Sequence, residues 1–67
     1  MKESLHRFVN QMIEHQFTID ETRDMVEKVY IEKILERNGH NISEAARKMQ
    51  MHRNTLSRKI KSLGIGE

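Results

Sequence analysis

The sequence predicts an all-α protein of four helices, and three observations lead there. Apolar residues recur at helical spacing, Gly appears at only three positions and Pro at none, and two caps of the form polar-x-x-Glu stand directly before apolar runs. With 67 residues and 36% hydrophobic content, the chain has material for one small domain and one thin core. A core in a chain of this size rarely supplies more than roughly 3–5 kcal/mol, and small folds usually add a disulfide, a metal or a second subunit. Cysteine is absent, so there is no disulfide framework and no thiolate ligand or nucleophile. A second subunit is therefore expected from size and composition alone.

Leu5, Phe8, Val9, Met12 and Ile13 stand at i, i+3, i+4, i+7 and i+8, the stripe of an amphipathic helix, placed at about 3–15. Thr18-Ile-Asp-Glu21 reads as a capping box that starts the second helix, and Asn38-Gly39 ends it, because Gly readily takes the left-handed conformation. On this second helix Met25, Val26, Val29 and Tyr30 form one arc, whereas Ile31, Ile34 and Leu35 carry the apolar surface round to another side. A helix with so wide an apolar surface serves two partners. Its first half is expected to meet another subunit, and its second half to pack on the C-terminal third of the chain.

Asn41-Ile-Ser-Glu44 supplies the next cap, ahead of a short helical run from Glu44 to about Gln50. A fourth helix is predicted to begin near Arg53, with Leu56, Ile60 and Leu63 at i, i+4 and i+7, and to end at Gly64, where Ile65 is available for the apolar contact of a glycine cap.

Net charge is +2, but it is unevenly spread. Residues 1–40 hold six Lys/Arg against eight Asp/Glu, a balance of −2, and residues 41–67 hold six against two, a balance of +4. Basic charge concentrated on one short segment is the electrostatic footprint of a surface that meets phosphate. An ordinary solvated face has the same charge, so the side-chain types must decide. Two short helices joined by a tight turn, the second of them basic, suggest a helix-turn-helix whose second helix enters the DNA major groove. Ala45 and Ala46 supply the small side chains that a close crossing requires, and Met49, Met51, Leu56 and Ile60 are spaced to fill the wedge as plain core.

With Leu56 set at zero and about 100° per residue, Ile60 and Leu63 fall within about 40° of it, while Asn54, Arg58 and Lys61 lie near the opposite pole. Arg53, Thr55, Ser57 and Lys59 flank that pole. Recognition helices read bases mainly with their N-terminal residues, which selects His52, Arg53, Asn54 and Ser57. Arg53 leads, since its guanidinium can pair with guanine N7 and O6, a contact that discriminates by about 1–3 kcal/mol. Thr55, Arg58, Lys59 and Lys61 have the chemistry of phosphate contacts, with Arg58 suited to either part. Asn41 and Ser43, at the start of the preceding helix, offer side chains and backbone N–H groups to a phosphate.

The stretch from Asn41 to Ile65, NISEAARKMQMHRNTLSRKIKSLGI, resembles the Fis-type helix-turn-helix, especially the C-terminal DNA-binding domain of nitrogen-regulator (NtrC) type, sigma-54-dependent activators. Ala45-Ala46, the run Arg53-Asn54-Thr55-Leu56, Arg58-Lys59 and Leu63-Gly64 carry the likeness. The resemblance implies a homodimer in which the first two helices of each subunit form a four-helix platform. Residues 1–39 would then be dimerisation helices, joined through Leu5, Phe8, Val9, Met12, Ile13, Met25, Val26, Val29 and Tyr30, and 41–65 the helix-turn-helix of a single domain spanning 1–67. Two positions depart from the pattern. Gln50 stands where the turn usually has Gly, which costs about 1–2 kcal/mol in a left-handed conformation and predicts a less tight turn. His52 stands where a small polar cap is common; capping, contact with DNA and simple exposure are all open to it.

No enzymatic constellation emerges. His6, His15, His40 and His52 lack metal-ligand spacing, so neither a catalytic residue, a metal, a cofactor nor a small-molecule ligand is expected. No apolar run approaches the ~20 residues of a membrane span, and the start MKESLHRF lacks the apolar block of a signal peptide. The expected setting is the bacterial cytoplasm, associated with the nucleoid. Two contexts fit the resemblance: a domain of an activator whose ATPase machinery lies on further chain, or a stand-alone Fis-like architectural protein that bends DNA. The competitor from another class is a helical protein-interaction module using the basic helix as a solvated face. Arg53-Asn54-Thr55 discriminates, because a merely solvated helix has no need of fork-shaped and amide side chains at its start.

Overall fold

The computed structural model describes residues 1–66; Glu67, counted in the charge of the basic segment, lies outside them. Among the described residues the regular elements are four helices: α1 (Lys2–Glu14), α2 (Ile19–Arg37), α3 (Ile42–Lys48) and α4 (Arg53–Ser62).

Local chemistry accounts for each boundary. After α1, the Phe17 amide donates to the Met12 carbonyl at 2.9 Å across the left-handed Gln16, φ 62°, which closes the helix end. The predicted box at α2 is complete: the Glu21 amide donates to Thr18 Oγ1 at 3.0 Å, and the Thr18 amide donates to Glu21 Oε1 at 2.9 Å. At its far end Asn38 Nδ2 donates to the Ile34 carbonyl at 2.7 Å, and Gly39 and His40, both left-handed, turn the chain toward α3. Asn41 caps α3 by accepting the Glu44 amide at 3.0 Å. Because the cap is Asn41 itself, helical backbone starts at Ile42 and not at the expected Glu44. It stops at Lys48, two residues before the expected end, since Gln50 has left the helical conformation.

The core lies entirely in the second half of α2 and the elements after it. Ile31 and Leu35 from α2, Ala45 and Ala46 from α3, Leu56 from α4 and Ile65 beyond it form one buried cluster. Ile34, Ile42, Met49, Met51, Ile60 and Leu63 pack around them. Ile65 enters as the cap pattern predicts, its amide donating to the Ile60 carbonyl at 3.0 Å across Gly64.

No residue of α1 is buried. Of its apolar stripe, Phe8 and Met12 are half-buried, while Leu5, Val9 and Ile13 face solvent. The first half of α2 repeats this: Met25 is half-buried and Val26, Val29 and Tyr30 are exposed. The two stripes border an open apolar groove lined by Phe8, Met25, Val26, Val29, Tyr30 and Ile34. The second half of α2, by contrast, is buried against α3 and α4 as its rotated stripe predicts.

Candidate nucleic-acid interface

The interface is built on the crossing of α3 and α4. Ala45 and Ala46 are 0% and 2% exposed, so the crossing occurs over methyl groups, and the fully buried Leu56 of α4 sits in the same cluster. The turn between the helices differs from the sequence expectation. Gln50 adopts the left-handed conformation, φ 55°, and the Met51 amide donates to the Ala46 carbonyl at 3.0 Å. The turn is therefore closed by the usual helix-end hydrogen bond. A left-handed residue other than Gly bears strain, so Gln50 absorbs the penalty and the turn stays tight.

His52 ends this turn and begins α4. Its Nδ1 accepts the Asn54 amide at 3.1 Å, so the imidazole acts as the cap while remaining exposed. With Nδ1 accepting, the proton of the neutral ring sits on Nε2, which leaves a donor at the start of α4.

Leu56 faces the core, so the opposite side of α4 faces out. Arg53, Asn54, Arg58 and Lys61 are exposed, and Thr55, Ser57 and Lys59 are half-buried on the flanks. Asn41 and Ser43 are exposed at the start of α3, although Asn41 Oδ1 is already occupied by the Glu44 amide. Carboxylates neutralise some of the cations. Arg47 pairs with Glu44 at 2.9 Å within α3, and this guanidinium holds the Glu44 carboxyl below the usual carboxylate range. Lys59 pairs with Glu27 of α2 at 2.7 Å. Arg53, Arg58 and Lys61 pair with no carboxylate among the described residues, nor does Lys48 near the end of α3.

Two features of this surface are not signalled by the sequence. Lys48 has no distinguishing neighbour within the basic segment, yet an exposed unpaired cation beside the turn marks it as a further phosphate candidate. Glu27 gives no signal at all, because its partner lies 32 positions away.

No group of three or more His, Asp or Glu side chains able to hold a metal occurs among the described residues. No helix among them is long and apolar enough to cross a membrane.

A short helix crossed over alanines by a second helix, with amide and unpaired guanidinium groups along the outer face of the second, defines a helix-turn-helix DNA-binding domain. Residues 22–63 match the family model described as bacterial regulatory protein, Fis family. That is more than half of the chain, and the protein belongs to this family of DNA-binding transcription regulators. The match runs from α2 through α4 and leaves α1 outside it. No curated protein and no solved structure matches the chain.

Proposed function

We propose that the chain binds specific duplex sites as a homodimer and serves as the DNA-binding domain of a bacterial NtrC-type, sigma-54-dependent activator, acting in the cytoplasm at the nucleoid. The observation that carries this reading is the pairing of two unpartnered surfaces on one small fold. On one side stand the exposed Asn54, Arg58 and Lys61 of α4; on the other stand the exposed apolar residues of α1 and the first half of α2.

Apolar side chains such as Tyr30 and Ile13, 56% and 68% exposed, are poorly placed in water, and burial of the exposed part of each recovers on the order of 1–2 kcal/mol. A second copy of the same face covers them by two-fold symmetry, forming a four-helix platform from Leu5, Phe8, Val9, Met12, Ile13, Met25, Val26, Val29 and Tyr30. The platform then carries two copies of α4 at a fixed separation. Each enters a major groove, with Arg53 and Asn54 reading base edges and His52 Nε2 and Ser57 beside them. Thr55, Arg58 and Lys61 meet phosphates, and the start of α3 adds Asn41 and Ser43. The NtrC-type assignment within the family rests on the run Arg53-Asn54-Thr55-Leu56 after Ala45-Ala46.

Selection of bound duplexes from a random pool tests the whole reading. The expected product is a palindrome with half-sites about one helical turn apart. A pool with no enriched sequence, or one enriched for a single half-site, contradicts it.

A further inference from the structure

Three ion pairs occur among the described residues, and they are not alike. Arg23–Asp20 and Arg47–Glu44 each span three positions within one exposed helix. Lys59 Nζ donates to Glu27 Oε2 at 2.7 Å across 32 positions, half-buried on both sides, and is the one side-chain hydrogen bond among the described residues that joins two helices. Glu27 stands one turn before the buried Ile31, and Lys59 stands just short of one turn after the buried Leu56. The pair thus flanks the place where α2 and α4 share the core.

Position on the helix separates Lys59 from Arg58 and Lys61, and its ion pair separates it from Arg53, which lies at the same angle on the other side of Leu56 and pairs with no carboxylate among the described residues. Measured from the Leu56 direction, Asn54, Arg58 and Lys61 lie about 140–160° away, but Lys59 only about 60°. Its ammonium is held on the core side of α4, toward α2. Apolar packing around Leu56 is non-directional and tolerates small rotations of a helix that contacts α2 mainly through side chains. A short charge-assisted bond between the two helices favours the rotations that keep Lys59 and Glu27 within reach of each other.

We propose that Glu27 and Lys59 are positioning residues for DNA recognition. Their bond sets the rotation of α4 against α2, and hence the aim of each recognition helix relative to the dimer platform, while Lys59 neutralises no phosphate. This inference rests on the reading of α4 as the recognition helix. It removes Lys59 from the phosphate contacts that the sequence suggested and gives a role in DNA binding to Glu27, an acidic residue outside the helix-turn-helix.

The test measures affinity for the selected site and for random duplex across a salt series, with helicity recorded for every variant. Glu27→Gln and Lys59→Gln are each expected to weaken the selected site about two- to five-fold per subunit, and random DNA less. The salt slope of Lys59→Gln stays at the wild-type value, and the reversed pair Glu27→Lys/Lys59→Glu recovers affinity. If the reversed pair does not fold, Glu27→Gln/Lys59→Gln replaces it, with a loss no greater than that of either single variant. The proposal is overturned if Lys59→Gln lowers the slope by about 1.8 for the two subunits, the signature of lost phosphate contacts, or if Glu27→Gln tightens binding. It is equally overturned if every variant binds as wild type. Arg58→Ala is the control for the underlying reading: a wild-type slope in that variant sinks the DNA-facing assignment of α4 itself, whatever Lys59 does.

Discussion

Gln50 offers a quantitative handle on the turn that aims α4. It sits at φ 55° at the end of α3, where a side chain costs about 1–2 kcal/mol that Gly does not pay. Replacement by Gly removes this strain but returns about 0.4–1 kcal/mol through the larger freedom of the unfolded chain. The net expectation for Gln50→Gly is stabilisation by about 0.5–1 kcal/mol. For a domain of this size that raises the midpoint of thermal unfolding by about 2–8 °C. Gly39→Ala is the mirror experiment: its φ is +60° and no atom lies within 4 Å of an added Cβ, so the conformational penalty, less the same unfolded-state offset, should destabilise the fold by about 0.5–1 kcal/mol. Thermal unfolding followed by circular dichroism measures both. A Gln50→Gly variant that melts at or below the wild-type temperature, beside a destabilised Gly39→Ala, refutes the claim that Gln50 bears strain. Because the backbone of the turn is unchanged, the affinity for DNA should also stay within about two-fold of wild type, a few tenths of a kcal/mol.

Two other variants probe the cap and the apolar face. His52→Ala removes the acceptor for the Asn54 amide and should cost about 1 kcal/mol of stability, while His52→Ser retains a cap and restores most of it; equal melting of the two would discard the capping role. Val26→Asp/Tyr30→Glu places charge on the exposed apolar face of α2 without touching the buried cluster, so sedimentation should show a folded monomer in place of the proposed wild-type dimer; a variant that still sediments as dimer would move the interface elsewhere.

Chemistry that is local along the chain is legible in the sequence. The Thr18-Glu21 box, the Asn41 cap, the Gly64-Ile65 ending and the alanines of the crossing each depend on residues within one or two turns, and each appears as the pattern requires. The rotated stripe of α2 also divides as its periodicity implies, with Ile31 and Leu35 buried and Val26, Val29 and Tyr30 left out. Tightness of the turn is not legible, because a residue type gives only a penalty and does not show that Gln50 takes the left-handed conformation and the local Met51–Ala46 hydrogen bond closes despite it. The beginning of α3 falls two residues earlier than the position of Glu44 suggests, because the helix already begins after Asn41. The role of Lys59 is hidden for a different reason. Periodicity places it on a flank, but its partner Glu27 lies in another helix, and no spacing rule connects residues 32 apart.

In the proposed complex the outer side of α4 meets the DNA backbone twice, once per subunit. The dependence of log K on log salt concentration, compared between wild type and Arg58→Ala/Lys61→Ala, tests it most directly. Two cations in each of two subunits amount to four phosphates, so the double variant should lower the slope by about 3.6 while its helicity is unchanged. A slope equal to the wild type would mean that these side chains face solvent in the complex, and α4 would no longer be the helix that binds DNA.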